Sequence, residues 1–498
     1  MTRRVRMIRV GRDGRGAGRH DVEGLEPRRL LATMFNPDGP TIATLPQGPS
    51  SVVAADFDGD GKQDVVLAVG REIRFQKGYG GGRFAAPAVV VRLNSAVGLL
   101  GVGNFNEDGR PDLVSVQTGT ARGWTRTLLN TGRAQFAVTA YARPWTIVQS
   151  VTVGNIDSDP QDEVLLEGRS PWLVLSPAAE LRGSIIGEPP DEVRVLDPEY
   201  VAQPLGSELP PFFAAVRLAD KGVAFTGRRL TAPTIAPLVG GALNKVLVGA
   251  QDPDDAANGL VHVLTYVPDA APAPGLEGEA PGTLVGLLAE SRDPLKVQGV
   301  PTSIGVAEMN GDQGLDLVVS TLTYPTEPAQ DPVGQGDFTA RTFVLARTGD
   351  APDAIYGPAQ TVHARVLPGE GAMVRAMAPE YRIATLSDMN GDGLADVGLS
   401  IVQEFAGGRG GIREARFVQV LRSEVDISGF ISSTVAVVLA DNLPPSSPFG
   451  RPQIFAAADM RGVGRPDLIF ADRPGPLGAV KMKVLYNVNA TLLVPYPA

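Results

Sequence analysis

Asp56-Phe57-Asp58-Gly59-Asp60-Gly61-Lys62-Gln63-Asp64 sets oxygen-bearing side chains at its first, third, fifth and ninth positions, a large apolar residue at its second and glycine at its sixth. The pattern is written five more times. The copies are Asn104-Phe105-Asn106-Glu107-Asp108-Gly109-Arg110-Pro111-Asp112, Asn155-Ile156-Asp157-Ser158-Asp159-Pro160-Gln161-Asp162-Glu163, Glu308-Met309-Asn310-Gly311-Asp312-Gln313-Gly314-Leu315-Asp316, Asp388-Met389-Asn390-Gly391-Asp392-Gly393-Leu394-Ala395-Asp396 and Asp459-Met460-Arg461-Gly462-Val463-Gly464-Arg465-Pro466-Asp467. Each is followed by a short apolar run, such as Val65-Val66-Leu67 or Leu317-Val318-Val319. An apolar lead-in precedes it, as in Val52-Val53-Ala54. The unit is therefore strand, acidic loop, strand. Gly-rich turns closed by an aromatic, Gly78 to Phe84 and Asn130 to Phe136, read as the hairpins into outer strands.

The first three loops begin 48 and 51 residues apart, close to the length of a four-stranded propeller blade. The segment Pro237 to Val248 looks like a copy whose loop has been deleted, and counting it gives seven units. Phe212 to Phe225 is a further degenerate candidate that would make eight. One blade cannot bury its own faces, so the units must stack and the ends must meet. The early run Thr41-Ile42-Ala43-Thr44-Leu45 is expected to complete the last blade, beside the apolar runs near the carboxyl end.

These units resemble the FG-GAP or VCBS-type repeats of bacterial secreted proteins, also seen in integrin α-chain propellers. The resemblance implies an all-β fold over residues 36–498: a seven-bladed propeller of four-stranded antiparallel blades, with structural calcium in the loop between the first two strands of several blades. Leu25-Glu26-Pro27-Arg28-Arg29-Leu30-Leu31 resembles the LEPR-XLL motif near the start of large bacterial surface and secreted proteins. It implies an extracellular or cell-surface location on a bacterial envelope. Residues 1–35, which carry this sorting-type motif, are Arg-rich and are expected to be disordered, because they lack the apolar periodicity that would offset the entropy of ordering.

Calcium takes about six to eight oxygens at roughly 2.3–2.6 Å, and four converging side chains supply half or more. The expected ligands are Asp56, Asp58, Asp60 and Asp64; Asn104, Asn106, Asp108 and Asp112; Asn155, Asp157, Asp159 and Glu163; Glu308, Asn310, Asp312 and Asp316; and Asp388, Asn390, Asp392 and Asp396. The backbone carbonyl at position seven, from Lys62, Arg110 or Leu394, and waters would complete the shell. Loops 56, 104 and 388 are expected to bind best. Pro160 weakens loop 155 and Gln313 weakens loop 308, because position six needs a positive φ. Loop 459 should hold no ion, since Arg461 and Val463 replace two ligands and a protein cation stands in. The plain alternative is a set of Asp/Gly turns without metal. An EF-hand is excluded by Leu67, Ser115 and Leu399 at the twelfth position, where it needs glutamate.

Bulk composition narrows the remaining choices. The chain has no cysteine and only three histidines, His20, His262 and His363, widely separated, which argues against thiolate or imidazole metal sites and a Ser/His/Asp triad. Residues 1–31 carry nine arginines against four acids (+5), leaving 36 basic and 51 acidic residues beyond (−15). An acidic body repels phosphate, so nucleic acid is excluded as a partner of the folded part. No apolar run approaches the roughly 18 residues of a membrane span.

Insertions at 251–258, 268–281 and 323–337 are polar, and read as spacers or contact surfaces. Trp124, Trp145 and Trp172 read as core, with a sugar-stacking platform as the alternative. The leading function is a secreted or cell-surface adhesion module for an extracellular protein or glycan, expected as a monomer. No catalytic constellation is visible; the alternatives are a polysaccharide-active enzyme (lyase or glycosidase-like) or a lectin on the same scaffold.

Overall fold

The computed structural model describes residues 35–36, 41–117, 124–142, 147–157, 159–169, 191–201, 215–237, 244–267, 288–290, 292–324, 338–348, 356–367, 380–407, 411–425, 431–443, 454–472 and 480–487. Among them every regular element is a strand, and the sheets form seven antiparallel blades arranged as a propeller. Blade one contains Ser51–Ala55, Asp64–Val69, Glu72–Gln76 and Ala88–Arg92, paired in that order. Blade two repeats the order with Leu99–Gly103, Asp112–Val116, Thr125–Asn130 and Phe136–Ala142. Blades three to six begin at Ile147, Thr234, Val300 and Glu380. Blade seven takes Ile454–Ala458, Asp467–Asp472 and Val480–Asn487 from the chain's far end.

The second strands explain why the blades must stack. Asp64–Val69 and Asp112–Val116 are buried at every position, a continuous apolar run rather than an in-out alternation. A strand of this kind has a neighbour on both faces. In blade one, Val66 and Ala68 pack with Leu100, Leu113 and Leu128 of blade two. Val65 and Leu67, on the opposite face, pack with Ile469, Met482 and Val484 of blade seven. The same division of labour joins blades two and three, three and four, four and five, and five and six. The apolar second position of each acidic loop lies inside: Phe57, Phe105, Ile156, Met309, Met389 and Met460 are each at most 2% exposed.

Closure is made by the early strand, as expected from its sequence. Thr41–Leu45 pairs antiparallel with Val480–Asn487, and Phe35–Asn36 pairs with the end of that strand. Leu45 is fully buried in the cluster that joins blade seven to blade one. Uniting the two ends of the chain in one sheet leaves no first or last blade with a bare face.

The count is seven. Ala215–Gly227, which overlaps most of the stretch Phe212 to Phe225 read as an eighth unit, is the outer strand of blade three and pairs with Asp191–Val201. The loop-deleted copy at Pro237 to Val248 is the junction of the first two strands of blade four, Thr234–Ala236 and Lys245–Gln251. The motif at residues 25–31, Trp145, Trp172 and the insertion at 268–281 lie outside the described residues, as does most of 323–337.

Candidate metal centres

Every acidic loop joins the first strand of its blade to the second, so all six lie at the same end of the ring. The ninth residue opens the second strand and is fully buried: Asp64, Asp112, Glu163, Asp316, Asp396 and Asp467. It acts as a clamp. One carboxylate oxygen accepts the N–H of position two, from Phe57 (3.1 Å), Phe105 (3.0 Å), Ile156 (2.7 Å), Met309 (3.0 Å) or Met389 (2.9 Å). The other accepts an N–H near the end of the third strand: Gly78 or Asn130 (2.7 Å each), Arg347 (2.7 Å), Ser423 (3.0 Å) and, for Asp467, Asn487 (2.8 Å). In Asp64, Asp112, Asp316, Asp396 and Asp467 the carboxylate thus ties the loop to the far side of its own blade.

Burial of a charged group is costly, and the carboxyls respond. Desolvation pushes Asp64, Asp316 and Asp396 up to about 6 and Asp112 to about 7, against the pull of the backbone N–H donors. Neighbouring loop acids add to the upward push, Asp58 on Asp64 and Asp392 on Asp396 among them. A nearby cation would relieve both effects.

The rest of the loop is a chain of side-chain-to-backbone turns. Asp56 folds back to accept the N–H groups of Gly59 (2.8 Å), Asp60 (3.1 Å) and Gly61 (2.7 Å), and Asp388 does the same with Gly391 (2.5 Å), Asp392 (3.2 Å) and Gly393 (2.9 Å). Positions three and five accept the N–H two residues on, as in Asp157 from Asp159 and Asp159 from Gln161, both 2.8 Å. The backbone swings twice into the left-handed region. At position four the residues are Gly59, Glu107, Gly311, Gly391 and Gly462; at position six they are Gly61, Gly109, Gln313, Gly393 and Gly464. Loop 155 cannot follow at position six, because the ring of Pro160 fixes a negative φ.

Carboxylates meet at two loops. Oxygens of Asp56, Asp58 and Asp64 lie within 4.8 Å of one another, and so do those of Asp157, Asp159 and Glu163. Loop 388, ranked with loop 56 by its sequence, is not among these groups, and its Asn390 amide donates to Asp392 (2.8 Å) and Asp396 (3.4 Å). Loop 155 brings its acids together despite Pro160. Among the described residues, four loops also contain a buried oxygen with no hydrogen-bond partner: Asp58 Oδ1, Asn104 Oδ1, Gln161 Oε1 and Glu308 Oε2. In loop 56 the orphaned acceptor of Asp58 stands among the oxygens of Asp56 and Asp64, a setting that fits a hard cation better than a protein donor. Calcium ligation by oxygen fits this donor set.

Loop 459 is different, in the way its sequence suggests. Arg461 places Nη2 3.1 Å from Asp467 Oδ1, with Nε 3.2 and 3.3 Å from the two oxygens. Its guanidinium also lies 5.0 Å from the Tyr486 ring centroid. A protein cation thus stands against the buried ninth carboxylate.

Neighbouring loops are stitched together by residues that the repeat alone does not reveal. Asn130 of blade two donates its amide to Phe57 O of loop 56 (2.8 Å), and Asn487 of blade seven donates to Met389 O of loop 388 (2.6 Å). Asn244 reaches Asn155 O (2.6 Å), Asp162 accepts the Asn104 N–H (2.7 Å), and Ala395 N donates to Glu308 O (2.8 Å). The one sequence signal was a shared ending, Leu-Leu-Asn130 and Leu-Tyr-Asn487, on two third strands.

Comparison with known proteins gives one family and several distant folds. The FG-GAP repeat matches residues 48–84, the first three strands of blade one and its acidic loop. No curated protein matches the chain. Among solved structures, an Agrocybe aegerita lectin that recognises non-reducing terminal N-acetylglucosamine is 15% identical with a TM-score of 0.30, over 88% of this chain and 81% of that one. The V. cholerae biofilm matrix protein Bap1 is 12% identical with a TM-score of 0.34, over 92% and 89%. A Bacillus licheniformis rhamnogalacturonan lyase is 10% identical with a TM-score of 0.30, over 90% and 91%. Blade one of this seven-bladed propeller thus carries an FG-GAP repeat, and the strand, acidic loop, strand layout of that repeat recurs in five further blades.

Proposed function

We propose that this chain is an extracellular or cell-surface propeller, stabilised by several calcium ions, that serves as an adhesion or interaction module for a protein or glycan partner. One observation carries the metal half: the carboxylates of Asp56, Asp58 and Asp64, and of Asp157, Asp159 and Glu163, converge at the same turn of two different blades. The buried unpartnered oxygens of Asp58, Asn104 and Glu308 support it. Oxygens at positions one, three, five and nine of loops 56, 104, 155, 308 and 388 would hold the ions, with the carbonyls of Lys62, Arg110 and Leu394. Bound calcium supplies positive charge to buried acids and cross-links the loop to the strand it opens.

The interaction half is supported by the shape of the scaffold. A closed ring presents two loop-built faces, and rigid scaffolds carry recognition on loops. The acids that could serve in catalysis are engaged in backbone turns and clamps, which favours a structural role for them. The LEPR-XLL resemblance at residues 25–31 supports the location.

Isothermal titration of the full chain with calcium, followed by a glycan array read with calcium and with chelator, tests both halves. Several bound ions and calcium-dependent capture of a defined glycan are expected. Depolymerisation of a polysaccharide by the purified chain would replace the module reading with an enzymatic one.

A further inference from the structure

Lys77 stands one residue before Gly78, whose N–H binds the buried Asp64, so the clamp of loop 56 also fixes where this lysine begins. Its ammonium contacts Asp58 Oδ2 and, at 2.8 Å, Asp60 Oδ2. These are the third and fifth positions, two of the oxygens a metal would use. An ammonium carries three donors and no acceptor, so it can bridge two carboxylates as a small cation does. Asp58 Oδ1 nevertheless remains buried without a partner.

Among the described residues, one cation bridging positions three and five belongs to blade one; in loop 104, Arg110 pairs with Asp108 at position five alone, at 2.7 Å. The corresponding residues, each immediately before the N–H that reaches the ninth carboxylate, are Leu129, Ala346, Arg422 and Tyr486. Leu129 is buried, and Arg422 approaches Asp392 only to 4.0 Å while half exposed. In loop 459, Arg461 contacts both oxygens of the buried Asp467 with its side chain 19% exposed. Lys77 is more accessible at 31%, and it reaches the outer acids rather than the buried one.

We propose that Lys77 is a built-in competitor for the metal of loop 56, which therefore takes calcium less tightly than its four carboxylates would otherwise allow. This rests on the calcium reading of the loops. A divalent ion entering there must break two charge-assisted hydrogen bonds and send the ammonium to solvent, whereas loop 459 holds its cation permanently. Lys77 thus delays the filling of loop 56.

Calcium isotherms of the full chain separate the two ideas. Lys77→Met is expected to tighten one site by about tenfold or more, a change of about 1.4 kcal/mol, leaving the others unchanged. Lys481→Met, an exposed lysine of blade seven, should change nothing. A measurement on the unaltered chain guards against a variant that fails to fold: amine labelling at Lys77, mapped by peptide mass, should be slow in chelator and faster in calcium. Calcium binding with identical isotherms and unchanged labelling overturns the competitor role and leaves the calcium reading intact. No calcium bound by either protein overturns both.

Discussion

Tyr486 donates its phenolic hydrogen to the carbonyl of Gly82 at 2.6 Å, joining residues 404 apart in the chain across the seam of the ring. Gly82 has a φ of +75°, and a Cβ there would stand 2.0 Å from that hydroxyl oxygen. Two substitutions therefore probe one contact. Tyr486→Phe should cost about 1 kcal/mol, the net worth of a hydrogen bond. Gly82→Ala should cost more, because it adds a clash to a left-handed strain. Chemical denaturation of the two variants checks the order.

The seam also makes a larger prediction. Leu45 is fully buried in the cluster between blades seven and one, and Leu45→Ala is expected to destabilise by about 2–5 kcal/mol. Removing residues 1–46 deletes the whole closing strand and should lower the melting temperature sharply. A truncated chain that melts like the full one would mean that the ring is held by other contacts.

Left-handed positions in the loops can be tuned without touching a ligand side chain. Gln313 and Glu107 hold positive φ angles of 66° and 61° where the other loops use glycine, the loop at 155 aside. Gln313→Gly should stabilise by about 1 kcal/mol, and Gly393→Ala, at φ +91°, should destabilise by a similar amount. Thermal melts of both variants in chelator give the comparison free of metal.

Asn130 bridges two blades by donating to Phe57 O at 2.8 Å and to Pro111 O at 3.2 Å. Asn130→Ala leaves a buried carbonyl without that donor and should cost about 1–3 kcal/mol. Hydrogen exchange should show faster opening around loops 56 and 104 together, since both lose a partner. A change confined to blade two would contradict the stitching.

Acid sensitivity has a named source away from the loops. Burial first, with repulsion from Arg365, holds the His363 imidazole below its usual 6.5, against a smaller upward pull from the Gln419 side chain. At this imidazole the unfolded chain binds more protons than the folded one as pH falls below about 6.5, so the contribution of this one site, present above that pH, is lost on acidification, opposite in sign to that of the buried loop carboxyls. The stability of the unaltered chain relative to His363→Gln should therefore fall as pH drops below about 6.5. An unchanged slope would assign it to other groups.

Much of the fold was legible because each acidic loop has a fixed place between two strands, and its second residue is apolar for a reason: Phe57 and Met309 pack in the space between blades. The closing role of Thr41 to Leu45 followed from the need to cover a bare blade. The number of blades was harder to read, since blade four has no acidic loop to mark it. Within the site, the spacing pointed to the carboxylates but not to their division of labour. Asp64 clamps the third strand, Asp56 folds the loop on itself, and Asp60 turns to Lys77, whose place depends on strand register rather than on the repeat. Asn130 and Asn487 were hidden for the same reason, since each serves the neighbouring blade's loop.

On the calcium reading, the repeated acidic loops are cation-filled corners that hold the ring together. Thermal unfolding of the full chain in excess calcium and in excess chelator tests it most directly. Ions bound only by the folded state should raise the melting temperature by several degrees, since a single site at about a hundredfold excess over its dissociation constant adds about 2.7 kcal/mol. The shift should reverse on chelation. Superimposable curves in calcium and chelator would contradict the account.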